Sequence, residues 1–300
     1  MRTKTLNCSW LMAAVAVLAL ATLGSAQVTS VQEEQWLNSP AASSHVGNIT
    51  GSAKAGGDHL IGDYRRYCAV CHGELGDGNG ESARWFEPPL YPKPRDFTLA
   101  VFECRSTPTG TLPTDEDLFD TIARGIDRSG MPPWNTFTKQ ERADLVAWIK
   151  HYSPRWQNEK PGAPIQIPAE PEITPDRVKA GQEVFGRVQC WKCHGVEGRG
   201  NGPSASTLQD DLGRPILPYD FTSGARPKCG STDRDIYRIF MTGLDGTPMP
   251  SFSDNIKPDE AWDLVFYLRT LQPPNAYNAK ERQIAKQLGL KPVNPNATTP

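Results

Sequence analysis

Apolar residues recur at helical spacing in several places along this 300-residue chain. In "PDRVKAGQEVFGRVQC" the pattern puts Val178, Val184, Phe185 and Val188 on one stripe and predicts a helix. Leu145, Val146, Trp148 and Ile149 line one face of another, and Leu264, Val265, Phe266 and Leu268 repeat the arrangement. "TDEDLFDTIARG" opens on a Thr-x-x-Asp cap and stops at Gly125. A short helix is expected at "NAKERQIAKQLG". Alternating patterns of any length are absent, so the expected fold class is all-α.

The remaining apolar run is amino-terminal. Arg2 and Lys4 precede "WLMAAVAVLALATL", and "GSA" before Gln27 offers small residues for cleavage near Ala26. The run is about 14 residues, short of the roughly 20 that a spanning helix needs. Residues 1–26 are therefore expected to be an export signal that takes Cys8 with it, and 27–56 a flexible segment. The mature chain is expected in the periplasm or another exported compartment, where disulfides persist. At 22% charged and 38% hydrophobic residues the chain suits a globular protein of one to three domains. A formal charge of −2 argues for neither nucleic acid nor an anionic membrane as partner, so membrane contact is expected only through a partner complex.

The patterns come in two copies. "CAVCHGELGDGNGESA" from Cys68 matches "CWKCHGVEGRGNGPSA" from Cys190 at identical offsets. The agreement continues through "PRDFT" and "PYDFT", and through Cys104 before "RST" and Cys229 before "GST". It goes on through "LFDTIARGIDRSGMP" and "IYRIFMTGLDGTPMP". The main length difference is an insertion around "PTGTLPT" in the first copy. This tandem duplication divides the chain into domains at 57–155 and 174–272. They are joined by a proline-rich linker, 156–173, and followed by a polar tail, 273–300. The glycines shared after each motif predict a tight turn that lets backbone approach a bound group.

A lone C-x-x-C suits a thioredoxin-type redox pair, half a zinc site or haem attachment. Histidine directly after it changes the balance. Cysteines at i and i+3 with histidine at i+4 share one helical turn, so two thiols can bond haem vinyl groups while imidazole reaches the iron. A βαβ setting for a redox pair is missing, and the two motifs occupy equivalent places in separate domains rather than one zinc site. Two covalently bound haem c groups are expected, on Cys68 and Cys71 and on Cys190 and Cys193, with His72 and His194 as axial ligands.

Met131 and Met249 occupy the same place, six residues after Gly125 and Gly243, each followed by proline. They are the expected sixth ligands. Met241 has Ala123 as its counterpart and reads as helix packing. His45, His59 and His151 are rival ligands that recur in neither copy. Methionine opposite histidine raises the potential and fills the coordination sphere, which suits electron transfer rather than bond chemistry.

With "CAVCH" and Met131, "CWKCH" and Met249, and aromatic carboxy-terminal helices carrying Trp148 and Tyr267, the chain resembles class I cytochrome c, duplicated to a dihaem form. The resemblance implies three main helices around each haem and a partly exposed haem edge. The "DFT" segments, the two lone cysteines and the "PTGTLPT" insertion lie outside the minimal family pattern. The function expected is single-electron relay between a redox donor and acceptor protein, without catalysis. A non-catalytic haem subunit of a larger respiratory complex is a close variant. A dihaem peroxidase needs an open haem, and a gas sensor a displaceable methionine. Cys104 and Cys229 are left over from haem attachment, and export favours pairing them. Packing about a pseudo-two-fold axis would bring them together, and two buried thiols are the alternative.

Overall fold

Threonine side chains start most of the longer helices. The computed structural model describes residues 64–88, 92–275 and 277–294. The signal segment, the 27–56 segment, Cys8, His45 and His59 lie outside the described residues. A π-helical turn, Tyr64–Cys68, runs into α1 (Ala69–His72). Then come α2 (Asp115–Arg124), α3 (Lys139–His151) and the one-turn α4 (Arg155–Asn158). The second domain has α5 (Pro175–Arg187), α6 (Trp191–His194), α7 (Asp233–Thr242) and α8 (Pro258–Leu271). A last helix, α9 (Ala279–Leu288), follows. The described residues hold no strand, only an isolated bridge between Gln209 and Pro215.

Capping boxes at Thr114 with Asp117, Thr138 with Glu141 and Thr232 with Asp235 satisfy amides that α2, α3 and α7 leave without intrahelical partners. Thr174 caps α5, with Pro175 preset in the first turn. Both α2 and α7 end on glycine, at Gly125 and Gly243.

Each domain packs its helices around its own core. Leu118 and Ile122 of α2 meet Leu145, Val146 and Ile149 of α3, while Trp148 of the expected stripe is half-buried. In the second domain Val178, Val184 and Phe185 of α5 meet Leu264, Val265, Phe266 and Leu268 of α8. Gly181 makes this crossing close: a Cβ there would come within 1.9 Å of the Asp263 carbonyl oxygen. Met241 is buried among these residues, as its helix position predicts.

The linker and tail are less free than their polarity suggests. Beyond α4 the linker has no regular secondary structure, yet Ile165, Ile167 and Ile173 pack on the second core. The Ile165 amide donates to the Ser106 carbonyl of the first domain (2.8 Å). In the tail, α9 folds back on α8 and α5 and buries Ile284. Fully buried Asn278 fixes this return, donating to the carbonyls of Arg269 (3.2 Å) and Pro273 (2.9 Å). No helix among the described residues is long and apolar enough to cross a membrane.

The two domains meet around Cys104 and Cys229, which form a disulfide with Cα atoms 5.1 Å apart across 125 residues of sequence. Residues at equivalent positions just before them, Glu103 and Lys228, also face each other at 3.5 Å. Two further contacts are reciprocal. Arg128, in the loop before Met131, lies over the Tyr219 ring of the second domain, 5.4 Å from its centroid. Its counterpart Gly246, before Met249, packs against Arg95, the counterpart of Tyr219. Pairing of equivalent or exchanged positions is the signature of a pseudo-two-fold axis.

The "PTGTLPT" insertion is part of this interface. The Thr109 hydroxyl and the Gly110 amide donate to the Asp245 carboxylate of the second domain at 2.6 and 2.7 Å. Arg105, fully buried, donates to the same carboxylate (2.6 Å) and to the Thr242 carbonyl (2.5 Å).

Candidate functional site

A C-x-x-C-H turn can present three side chains, but something must hold the histidine ring still. In both domains the residue just before "DFT", in the segments "PRDFT" and "PYDFT", does so. His72 Nδ1 lies 3.0 Å from the Arg95 carbonyl oxygen, and His194 Nδ1 lies 2.8 Å from that of Tyr219. A carbonyl only accepts, so Nδ1 carries the proton and Nε2 keeps its lone pair for a metal. Burial lowers the pKa of both imidazoles, that of His72 to about 4, which keeps each ring neutral and able to ligate.

The aspartate and phenylalanine of the segment have separate tasks. Asp96 and Asp220 accept from the amide and hydroxyl of Thr98 and Thr222, tightening the turn. Phe97 stacks on His72, centroids 4.4 Å apart, and Phe221 sits 5.0 Å from His194. The Phe97 and Phe221 amides donate to Gly76 and Gly198, binding the segment to the loop behind the motif. Sequence reading missed these roles. Their only signal was that "DFT" recurs in both copies without chemistry of its own.

The glycine-rich loop turns inward on the motif. Gly78 and Gly80 amides donate to the carbonyls of His72 and Cys71, and Gly200 and Gly202 repeat this on His194 and Cys193. A Cβ on Gly80 would come within 2.4 Å of the Ala69 carbonyl, and on Gly202 within 2.3 Å of that of Lys192. The turn is as tight as expected, and at these two glycines it brings the loop against the backbone of the attachment turn.

The methionine loops are equally matched. Met131 and Met249 carbonyls accept from Ile126 (3.1 Å) and Leu244 (3.0 Å), while their amides donate to Ser129 and Thr247. Across the loop, Trp134 and Phe252 amides bond back to Ile122 and Phe240. In the first domain Cys68, Cys71, His72 and Met131 line one cleft of about 1200 Å³, open mouth included, with walls such as Leu118, Ile122, Trp134 and Ile149. In the second, Cys190 and Met249 border the same apolar core. His151 ends α3 on the surface, stacked on Trp148. Thiols, an available imidazole Nε2 and a thioether around an apolar cleft fit a covalently attached haem.

Comparison with known proteins agrees. The family model described as cytochrome c matches residues 178–272, and that described as cytochrome C oxidase, cbb3-type, subunit III matches residues 58–149. A chain of the Kuenenia stuttgartiensis reducing HAO-like protein complex is 41% identical, with a TM-score of 0.68. The alignment covers 75% of the present chain and 98% of that one. No curated protein matches the sequence significantly. With a C-x-x-C-H motif in each matched segment, the protein carries two covalently bound haem c groups, on Cys68 and Cys71 and on Cys190 and Cys193.

Proposed function

The chain belongs to the cytochrome c family, with two of its domains in tandem, and on that premise we propose that it relays single electrons between a donor and an acceptor protein through two His/Met-ligated haems. A haem electron-transfer role follows from the family; the ligand sets and the relay are the proposal. When bound, haem supplies a one-electron ferric/ferrous couple. The chain's residues prepare each site for that couple. The Arg95 and Tyr219 carbonyls aim the imidazole Nε2 of His72 and His194. The loops, each tied through the methionine's own carbonyl and amide, would present the Met131 and Met249 thioethers as the second ligand of each haem. A soft thioether favours ferrous iron and leaves no position for peroxide or oxygen.

The observation carrying this reading is the duplication of the whole support, from carbonyl-held histidine to tethered methionine. A methionine at the same place in both copies speaks against the open haem side that a peroxidase needs. Redox assemblies are the partner class this favours, since the similar Kuenenia chain is part of a reducing HAO-like protein complex. An exported location is part of the proposal, supported by the Cys104–Cys229 bond and the amino-terminal pattern.

A redox titration followed by visible and near-infrared spectra tests it. Two haems, two one-electron waves and a methionine-to-iron band are expected. Carbon monoxide binding to the reduced protein at neutral pH, or peroxide turnover well above that of free haem, would overturn it.

A further inference from the structure

The first cleft is not built by the first domain alone. Lys228, from the second domain, lines it beside Cys104, Arg95 and Glu103. Glu103 lies between two cations: Lys228 Nζ is 3.5 Å from one carboxylate oxygen, and Arg95 pairs with the other. The three side chains are only 19, 11 and 29% exposed for Lys228, Glu103 and Arg95. Lys228 is placed there by the adjacent Cys104–Cys229 bond, since the two residues immediately before the cysteines are the ones that face each other.

We propose that Lys228 and Glu103 tune the reduction potential of the first-domain haem across the domain interface. The inference rests on that haem occupying the cleft lined by Cys68, Cys71, His72 and Met131. Reduction adds one electron, delivered by the donor protein or by a chemical reductant in a titration, to ferric iron. A fixed positive charge at the cleft wall stabilises the added charge, and a negative one opposes it. Both effects are stronger at a half-desolvated wall than in bulk water, because less solvent screens them. Burial opposes ionisation of Glu103, yet Lys228 and Arg95 outweigh it and hold the carboxyl below its usual range. Glu103 is therefore an anion at neutral pH, set between Lys228 and Arg95. The second domain thus contributes an electrostatic element to the first domain's cofactor site, and the disulfide keeps it there.

The test is a redox titration of the intact holoprotein with the substitutions Lys228→Met, Glu103→Gln and Lys228→Arg. Removing the cation is expected to lower one haem potential, and removing the anion to raise the same one. Each shift should be on the order of a tenfold change in the ferrous-to-ferric equilibrium, about 59 mV for one electron. Lys228→Arg should restore the original value. Comparison with Met131→His, whose altered wave marks the first-domain haem, shows which site moved. Shifts of the same sign from Lys228→Met and Glu103→Gln, larger shifts at the second haem, or unmoved potentials would overturn the inference. A pyridine haemochrome count of two haems in every variant separates that outcome from failure of the dihaem reading itself.

Discussion

Arg105 shows how much one side chain can carry. Its guanidinium is fully buried and holds Asp245 and the Thr242 carbonyl of the other domain, with Thr109 and Gly110 completing the carboxylate's shell. Truncation leaves Asp245 without its charged partner beneath the interface. Arg105→Ala is therefore expected to cost about 3–5 kcal/mol, the range for breaking a buried pair, and to lower Tm in a calorimetric scan. Glu103 predicts a pH effect. Its folded pKa is lowered, so the stability it contributes is complete above the ordinary carboxylate value near 4.5 and is lost as pH falls through the lowered one. The charged groups facing it are Arg95 and Lys228. Acid titration of unfolding should accordingly be less steep below about pH 4.5 in Glu103→Gln than in the original chain.

Among elements, the crossing of α5 and α8 is the tightest joint described. Gly181 sits where any side chain meets the Asp263 carbonyl and the Tyr267 Cβ. Gly181→Val is expected to force the helices apart and destabilise the second domain by about 1–3 kcal/mol. A melting curve followed at the second haem should shift down while the first haem's spectrum is unchanged at room temperature. The helices themselves were legible in sequence, because their apolar stripes and threonine caps are local signals: Thr114, Gly125, Val178 and Leu264 do what spacing predicts. The haem-attachment turns were legible for the same reason. The support given by "PRDFT" was not, since a carbonyl 23 residues from His72 has no side-chain identity to read.

At the scale of the whole molecule, the Cys104–Cys229 bond closes a loop of 125 residues. On a chain-entropy account such a closure stabilises the fold by about 4–5 kcal/mol. Thiol counting on denatured, unreduced holoprotein should find none among residues 64–294, because the other four cysteines there carry haem. Replacing both bridging cysteines by serine should lower Tm while leaving two haems. It should also blunt the effect of Lys228→Met on the first potential, because the bridge positions Lys228.

Residue order alone sets what is local or repeated: all-α elements, two C-x-x-C-H attachment turns, paired methionine loops and two cysteines without partners in their own copy. These depend on residue type at fixed short spacing, which a chain cannot hide. Which surfaces the two copies turn toward each other is settled by folding. It brought Cys104 to Cys229, the insertion to Asp245, and Lys228 to the wall of the other domain's cleft. Such contacts join residues more than a hundred positions apart, and packing about an axis, rather than any local propensity, selects them.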